Sequence, residues 1–315
     1  MNIFTLTLNQ MAFLFALIIA GFVLAKSKVL PENAAGVLAK LENTLFIPAL
    51  VMVTFIQKFT MESLSTAWKP FVLSFAIFAV VMPVAIFISK KCGKGDRYIA
   101  NIYTYGLCFS NFGFMGNAVV SKLYPEYFFE YLIFTLPLWI MIYVWGAPVL
   151  LMTEVTGEKQ SFKKRMKAFV NPMFIAMIIG MVIGITGLKL PSFVNTTLDS
   201  CANCMSPIAM LLTGITVATT DLKKTFTDGM IYLVSLIRLI AFPLVGIAVF
   251  VFLPLPVSTI TCVVCSLAMP LGLNTIVIPS AYGKDTSKAA GMAIVSHLLS
   301  CITIPLMLML MTALL

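Results

Sequence analysis

Apolar runs of roughly 20 residues recur along the whole chain, and they restrict its fold more than any other feature. A helix needs about 20 mainly apolar residues to cross a bilayer, and inside hydrocarbon only helices and closed barrels satisfy every backbone polar group. Charged residues make up 10% of the chain, against about 25% in soluble domains. The predicted fold class is therefore an all-α polytopic membrane protein. Ten spans are predicted, at 8–25, 36–57, 68–89, 98–123, 127–152, 171–188, 192–219, 229–253, 257–282 and 288–313.

Two of the predicted spans contain residues that interrupt a helix near its middle. The fourth reads CFSNFGFMGNAVV over Cys108–Val120, and the ninth reads AMPLGLNTIVIPS over Ala268–Ser280. Glycine loosens the backbone, and Ser and Asn offer it other hydrogen bonds. A broken helix is tolerated in hydrocarbon only where it is buried in protein or lines a wet cavity. Breaks at corresponding places in two halves of a chain indicate a transporter's binding site.

The two halves of the sequence match at a nearly constant offset. The matched positions, with their offsets, are Ala16 and Ala176 (160), Pro48 and Pro207 (159), Pro83 and Pro243 (160), Gly116 and Asn274 (158), and Pro137 and Pro305 (168). Each half has an odd number of spans, so the second half is expected to be inverted relative to the first. The predicted division is a first five-helix repeat at 1–152, a basic cytoplasmic linker at 153–170 and a second, inverted repeat at 171–315.

Basic residues near the span ends predict the orientation, because Lys and Arg hold loops in the cytoplasm. Fifteen fall on one face and four on the other. Both termini are therefore expected outside the cytoplasm of a multi-pass cell-membrane protein. Loop placement also explains the net charge of +9, so we expect no nucleic-acid partner. The fifteen are Lys26, Lys28, Lys90, Lys91, Lys94, Arg97, Lys159, Lys163, Lys164, Arg165, Lys167, Lys223, Lys224, Lys284 and Lys288, and the four are Lys58, Lys69, Lys122 and Lys189.

The motifs, taken in order, resemble the auxin efflux carrier family, which includes bacterial dicarboxylate permeases and plant PIN-type carriers. They are LFIPAL in span 2, SNFGFMGN in span 4, PLGLNT and AYGKD in span 9, and HLLSCITIPL in span 10. The resemblance implies a fold similar to bile-acid sodium symporters: a scaffold of spans 1, 2, 6 and 7, and a mobile core of spans 3–5 and 8–10. It also implies a substrate site where the broken helices cross. With Ser110 from the first break, the candidate substrate-binding residues are Ser110, Asn111, Gly113, Gly116, Asn117, Pro270, Gly272 and Asn274. Family members often carry proline just after the first break, where this chain has Asn117.

A crossing of this kind suits an anion. A half-helix that starts in mid-membrane presents unpaired N–H groups and the positive end of its dipole, so it can bind a carboxylate without a buried arginine. The alternative is that Asn111, Asn117 and Asn274 only cap helices or join them by hydrogen bonds. Malate, malonate, another carboxylate or an aromatic acid all fit such a site. The sequence leaves proton coupling, sodium coupling and uncoupled transport open, and it predicts no bound cofactor.

Four further polar residues form a candidate charge or coupling network. Arg238 lies about nine residues into span 8, and a charge that deep usually has a partner; Asp199 and Glu42 are the candidates, with snorkelling from a tilted helix as the alternative. His297 lies at a similar depth in span 10. It is suited to a proton relay, although a hydrogen-bonded packing role is the preferred interpretation.

Other classes of function have less support. The spans lack a G-x-S-x-G motif, a His/Asp pair and clustered metal ligands, so no catalytic residue, metal site or enzyme activity is predicted. The C-x-x-C pairs Cys201/Cys204 and Cys262/Cys265 have no accompanying histidine and are interpreted as small, membrane-compatible side chains. A secondary transporter of small organic anions is the preferred function, and a transporter-fold sensor that binds a ligand without net transport is the alternative. Expected partners are the lipid bilayer, the anion and a second copy bound through the scaffold helices.

Overall fold

The computed structural model describes residues 3–152, 172–218, 228–253, 255–280, 284 and 286–314. Within these ranges the chain is helical, with no strand and one isolated antiparallel bridge between Ser110 and Leu271. The all-helical class is therefore confirmed. The predicted linker at 153–170 lies outside the described residues, so its structure stays a prediction.

Helices lie at each of the ten predicted spans in the described part of the chain. The bounds are α1 (Ile3–Lys26), α2 (Ala34–Lys58), α3 (Met61–Cys92), α4 (Arg97–Cys108), α5 (Asn117–Leu123), α6 (Phe128–Leu151), α7 (Pro172–Thr186), α8 (Ser192–Ala218), α9 (Gly229–Val251), α10 (Val257–Ala268), α11 (Asn274–Ser280) and α12 (Ser287–Leu314). Among the described residues, seven of these helices are long and apolar enough to cross a membrane: α1, α2, α3, α6, α8, α9 and α12.

The other predicted spans are short or broken. Helix α7 has 15 residues, and α10 has 12. Spans 4 and 9 are each divided into two helices, α4 with α5 and α10 with α11. The division into two inverted five-helix repeats stays a prediction.

Prolines shape the long helices without ending them. A proline has no N–H to donate and crowds the preceding turn, and three π-helical segments lie at or just before such residues. They are Glu42–Phe46 before Pro48, Ile142–Leu151 around Pro148, and Ile237–Ala241 before Pro243. π turns are frequent at functional sites. Here two of them carry Glu42 and Arg238, the charged residues predicted inside spans 2 and 8.

Close helix packing is seen within two groups of helices, and α1 of the first group also packs on α12 of the second. Helix α1 packs mainly on α8, and α2 packs on α7 and α8. The contact between α1 and α8 needs glycine, because a Cβ at Gly214 would lie 1.9 Å from Ile18 O and one at Gly21 would lie 2.2 Å from Leu211 O. In the second group, α3 packs on α4 and α6, and α9 packs on α10 and α12. The first group consists of the helices predicted as the scaffold.

Candidate functional site

The two helix breaks contact each other through their backbones. The N–H of Asn111 donates a hydrogen bond to Pro270 O at 2.7 Å, next to the bridge between Ser110 and Leu271. The approach is close, since a Cβ added at Gly272 would lie 3.0 Å from Phe109 O. Extended backbone from the two halves therefore passes side by side in the protein interior.

Four helix ends meet at this crossing. Helix α4 ends at Cys108 and α10 ends at Ala268, so both bring the negative C-terminal end of the helix dipole. A π turn, Phe112–Gly116, leads into α5, and α11 starts at Asn274. Those two starts bring the positive N-terminal end of the dipole; in α11 the N–H groups of Thr275 and Ile276 donate to Gly272 O and Leu273 O in the preceding turn. Opposite dipole ends thus meet around one crossing.

Arg238 binds the two C-terminal ends together. Its Nη1 donates to Leu107 O at 2.9 Å in α4, and its Nη2 donates to Ser266 O at 2.8 Å in α10. The side chain is 2% exposed, and Cζ lies 5.8 Å from the centre of the Phe242 ring.

The prediction that Asp199 or Glu42 is the partner of Arg238 is wrong. Asp199 is exposed on α8, and both carboxyl oxygens of the fully buried Glu42 lack a hydrogen-bond partner. The partners of Arg238 are backbone carbonyls, because half-helix ends leave carbonyls that need a donor. Snorkelling to the surface is also excluded by the burial of the guanidinium.

His297 joins the crossing to α12. Its Nδ1 lies 2.7 Å from Ala293 O, and its Nε2 lies 3.0 Å from Asn111 Nδ2. A carbonyl oxygen only accepts, so Nδ1 carries the proton and Nε2 of the neutral ring accepts from the Asn111 amide. The ring is 2% exposed. This geometry fits the hydrogen-bonded packing interpretation of His297.

Asn274 and Ser110 have partners inside the same bundle. The partly buried Asn274 donates from Nδ2 to Tyr105 Oη at 3.1 Å. Ser110 Oγ donates to Ser266 O at 2.8 Å, the same carbonyl that Arg238 binds. These contacts tie α11 to α4, and the first break to the end of α10.

The two glycines of the first break lie against aromatic side chains of α6. A Cβ at Gly113 would lie 2.6 Å from Trp139 Cζ2, and one at Gly116 would lie 2.1 Å from Tyr131 Oη. Tyr131 also donates its hydroxyl to Phe112 O at 3.1 Å. The π turn can follow this path only because these positions lack side chains.

Asn117 differs from the other two asparagines. It is 3% exposed. Its Oδ1 has no hydrogen-bond partner, which is also true of Asn111 Oδ1, but Asn117 lies at a cavity. It lines a cavity of about 10 Å³, which is near the smallest space that holds one water molecule. The opposite walls come from α2, α6 and α7, including Val51, Trp139 and Met177. Asn117 therefore faces α2 and α7, two of the helices predicted as the scaffold, together with α6 of the predicted core.

The structure brings the predicted site residues to one crossing but does not point them into one pocket. Asn111 faces His297, Asn274 faces Tyr105, and Asn117 faces the small cavity. Sequence reasoning missed Tyr105, Tyr131, Trp139 and Ser266. A broken helix leaves its last carbonyls without intrahelical donors, so the sequence could have predicted that Leu107 O and Ser266 O need donors. The pairing of Tyr105 with Asn274, 169 residues apart, had no sequence signal.

A larger cavity opens beside α4, on the face with more basic residues. Its volume is about 510 Å³, and its walls come from α3, α4, α6 and the α3–α4 turn. Lys90 and Arg97 line it together with Asp96, Asn101 and Thr104. This cavity has the size and the positive groups to admit a small anion.

An ion pair joins α9 and α12 on the same face. Lys288 Nζ contacts Asp228 Oδ2, and Asp228 Oδ1 accepts from the N–H of Met230 at 3.0 Å at the start of α9. Burial alone would raise the pKa of Asp228, but the Lys288 hydrogen bond, the Met230 N–H and the charge of Lys94 hold that pKa below its ordinary value.

The sequence matches a known protein family over most of its length. The family model described as "Membrane transport protein" matches residues 6–308, nearly the whole chain. The search of curated proteins gives no match.

Proposed function

Because this chain belongs to the auxin efflux carrier family of membrane transport proteins, it is a multi-pass membrane transporter, and we propose that it moves small organic anions such as carboxylates by alternating access. Members of the family are transporters and not enzymes. The substrate is bound at the crossing of the two broken helices, on the side where Asn117 faces α2 and α7.

The observation that carries this proposal is the charge balance of the four helix ends. A helix end carries about half an elementary charge, positive at the N-terminus and negative at the C-terminus, so two ends of each kind would cancel. Arg238 binds both C-terminal ends, at Leu107 O and Ser266 O, and so offsets their negative charge. The two N-terminal ends are left in excess, which favours a bound anion.

Asn117 is the residue best placed to contact the substrate. A carboxylate accepts hydrogen bonds, so the contact would come from the Nδ2 amide of Asn117, which lines the cavity beside α2 and α7, whereas the amides of Asn111 and Asn274 already donate to His297 and Tyr105. The adjoining cavity of about 10 Å³ is too small for a dicarboxylate. Transport therefore needs α2 and α7 to separate from the crossing, which supports an elevator or rocking motion of α3–α6 and α9–α12 against α1, α2, α7 and α8.

The proposed orientation places both termini outside the cytoplasm of the cell membrane. The fifteen-to-four distribution of basic residues supports it. The cavity lined by Lys90 and Arg97 would then open to the cytoplasm and attract anions there. A homodimer through the scaffold helices is proposed by analogy with the family fold.

Uptake into proteoliposomes tests the proposal. Labelled malate, malonate and an aromatic acid are offered to purified protein, with and without proton and sodium gradients. Asn117→Ala should lower uptake at subsaturating acid, and Asn195→Ala, at an exposed asparagine of α8, should match the wild type. Saturable binding of an acid with no uptake under any gradient would favour the sensor function instead.

A further inference from the structure

Arg238 occupies the place where a broken-helix transporter can hold a coupling cation. In such proteins, half-helix C-terminal ends and unwound carbonyls coordinate Na⁺. Here Nη1 and Nη2 bind carbonyls in the last turns of α4 and α10, at 2.9 and 2.8 Å. The Nε–H points to Met269 O at 3.5 Å, just beyond the end of α10. One guanidinium thus spans both ends with three donors.

The charge of Arg238 is matched by these dipoles and not by a carboxylate. The side chain is 2% exposed, and neither Asp199 nor Glu42 pairs with it. Two helix C-termini together carry about one negative charge, which offsets one guanidinium. A second cation at the same carbonyls would meet a like charge at contact distance, and the carbonyls have already turned toward Arg238.

Arg238 in the second half of the chain has no basic counterpart in the first half. The offset of 160 that aligns Pro83 with Pro243 places Phe78 at the position of Arg238. Phe78 lines the same cavity of about 20 Å³ as Arg238, and its ring stacks on Phe109 with centroids 5.4 Å apart. Two arginines related by the repeat would bring two positive charges together. One arginine, carried on a π turn that redirects its side chain, serves both helix ends.

We propose that Arg238 is a built-in cation that takes the place of a coupling Na⁺. Transport by the wild type then proceeds without sodium, and removal of the guanidinium leaves a carbonyl site that takes a small cation from solution. Arg238 is a positioning residue, because it acts through the ends of α4 and α10. The inference concerns the coupling of the proposed transporter, and its stability test needs no substrate.

Thermal unfolding of purified Arg238→Ala in detergent tests the inference. The variant should unfold several degrees below the wild type in choline chloride, and sodium or methylguanidinium at millimolar concentration should raise its Tm with a saturable midpoint. Arg238→Lys should lie closer to the wild type, because an ammonium keeps the charge and three donors. Arg97→Ala, at the exposed start of α4, is the matched control and should respond to no cation. An Arg238→Ala protein with the same Tm in every salt would contradict the proposal.

Two measurements on the wild type decide whether Arg238 replaces a coupling sodium ion, even where the variants do not fold. Its Tm should be equal in sodium and choline chloride, and a saturable rise with sodium would overturn the inference. Its anion uptake should also be equal in the two salts, and sodium-dependent uptake would overturn it. Absence of uptake for every acid counts against the proposed transport function alone, since the wild-type Tm still decides whether Arg238 replaces a cation.

Discussion

At the scale of single residues, the crossing separates two kinds of buried asparagine. Asn111 donates to His297 Nε2, and its backbone N–H binds the opposite break at Pro270. Asn117 lies six residues further along and lines a small cavity; its Oδ1, like that of Asn111, has no hydrogen-bond partner. The first amide therefore stabilises the closed crossing, and the second is free to act on a ligand.

We expect Asn111→Ala to destabilise the protein more than Asn117→Ala. The first change leaves a buried ring nitrogen of His297 without its donor, at about 1–3 kcal/mol, whereas the second removes an oxygen that has no partner to lose. Thermal unfolding of both purified variants measures the difference. Equal Tm values would mean that the contact between Asn111 and His297 does not stabilise the crossing.

Substitution of Gly272 tests how closely the two helix breaks approach each other. A Cβ there would lie 3.0 Å from Phe109 O. The backbone at Phe109 cannot move away without breaking the bridge between Ser110 and Leu271. Gly272→Val should therefore lower the yield of monodisperse protein. Gly36→Val is the matched control, because a Cβ at Gly36 meets nothing within 4 Å. Normal yield from the Gly272 variant would show that the breaks are not held so closely.

At the scale of elements, helix ends and helix–helix contacts decide the architecture. The ion pair of Lys288 with Asp228 joins the starts of α12 and α9. Asp228 also caps α9 through the Met230 N–H. It therefore fixes two helices of the predicted core at one end.

Asp228→Asn should lower stability only modestly and in a pH-dependent way. Because the Lys288 side chain is 44% exposed, we expect less than about 1 kcal/mol. The folded-state pKa of Asp228 is lowered from 3.8, so its contribution is fully present above that ordinary value and is lost as the pH falls through the lower folded value. The Tm difference between wild type and variant should shrink from pH 7 to pH 3. A constant difference would rule out the ion pair as its cause.

Sequence reasoning located the elements better than their contacts. Apolar runs placed helices at every span, and the glycine, asparagine and proline residues at 108–120 and 268–280 located both breaks. The partners of Arg238 were not predicted, because a helix break indicates that its last carbonyls need donors but not which side chain supplies them. The different environments of Asn111, Asn117 and Asn274 also depend on which helix lies opposite each side chain.

At the scale of the whole molecule, the inverted repeat stays a prediction, and two helix pairs can be compared with what it expects. Exchange of the two halves turns the pair of spans 1 and 7 into the pair of spans 6 and 2, and both pairs pack closely as α1 with α8 and α7 with α2. Glycines mediate both contacts: Gly21 and Gly214 in the first, Gly180 and Gly184 in the second. Two of these four helices, α2 and α7, meet the crossing at the cavity beside Asn117, where relative motion would open the site.

A cross-link across that cavity should stop transport. Val51 of α2 and Leu132 of α6 both line it, so cysteines at both positions, joined by a bifunctional reagent, should abolish uptake. A cross-link between α1 and α8, within the scaffold, should leave uptake intact and serves as the control. Unchanged uptake with α2 tied to α6 would exclude motion between these two groups of helices.

The central claim, that an organic anion binds at the crossing, is tested most directly by equilibrium binding to purified, monodisperse variants. Loss of a buried amide that contacts a ligand costs about 1–3 kcal/mol, which corresponds to roughly tenfold to a hundredfold in affinity. The account predicts that loss for Asn117→Ala, weaker binding also for Asn111→Ala and Asn274→Ala, and wild-type affinity for Asn195→Ala. Wild-type affinity in all three crossing variants would contradict it, because the anion would then bind elsewhere.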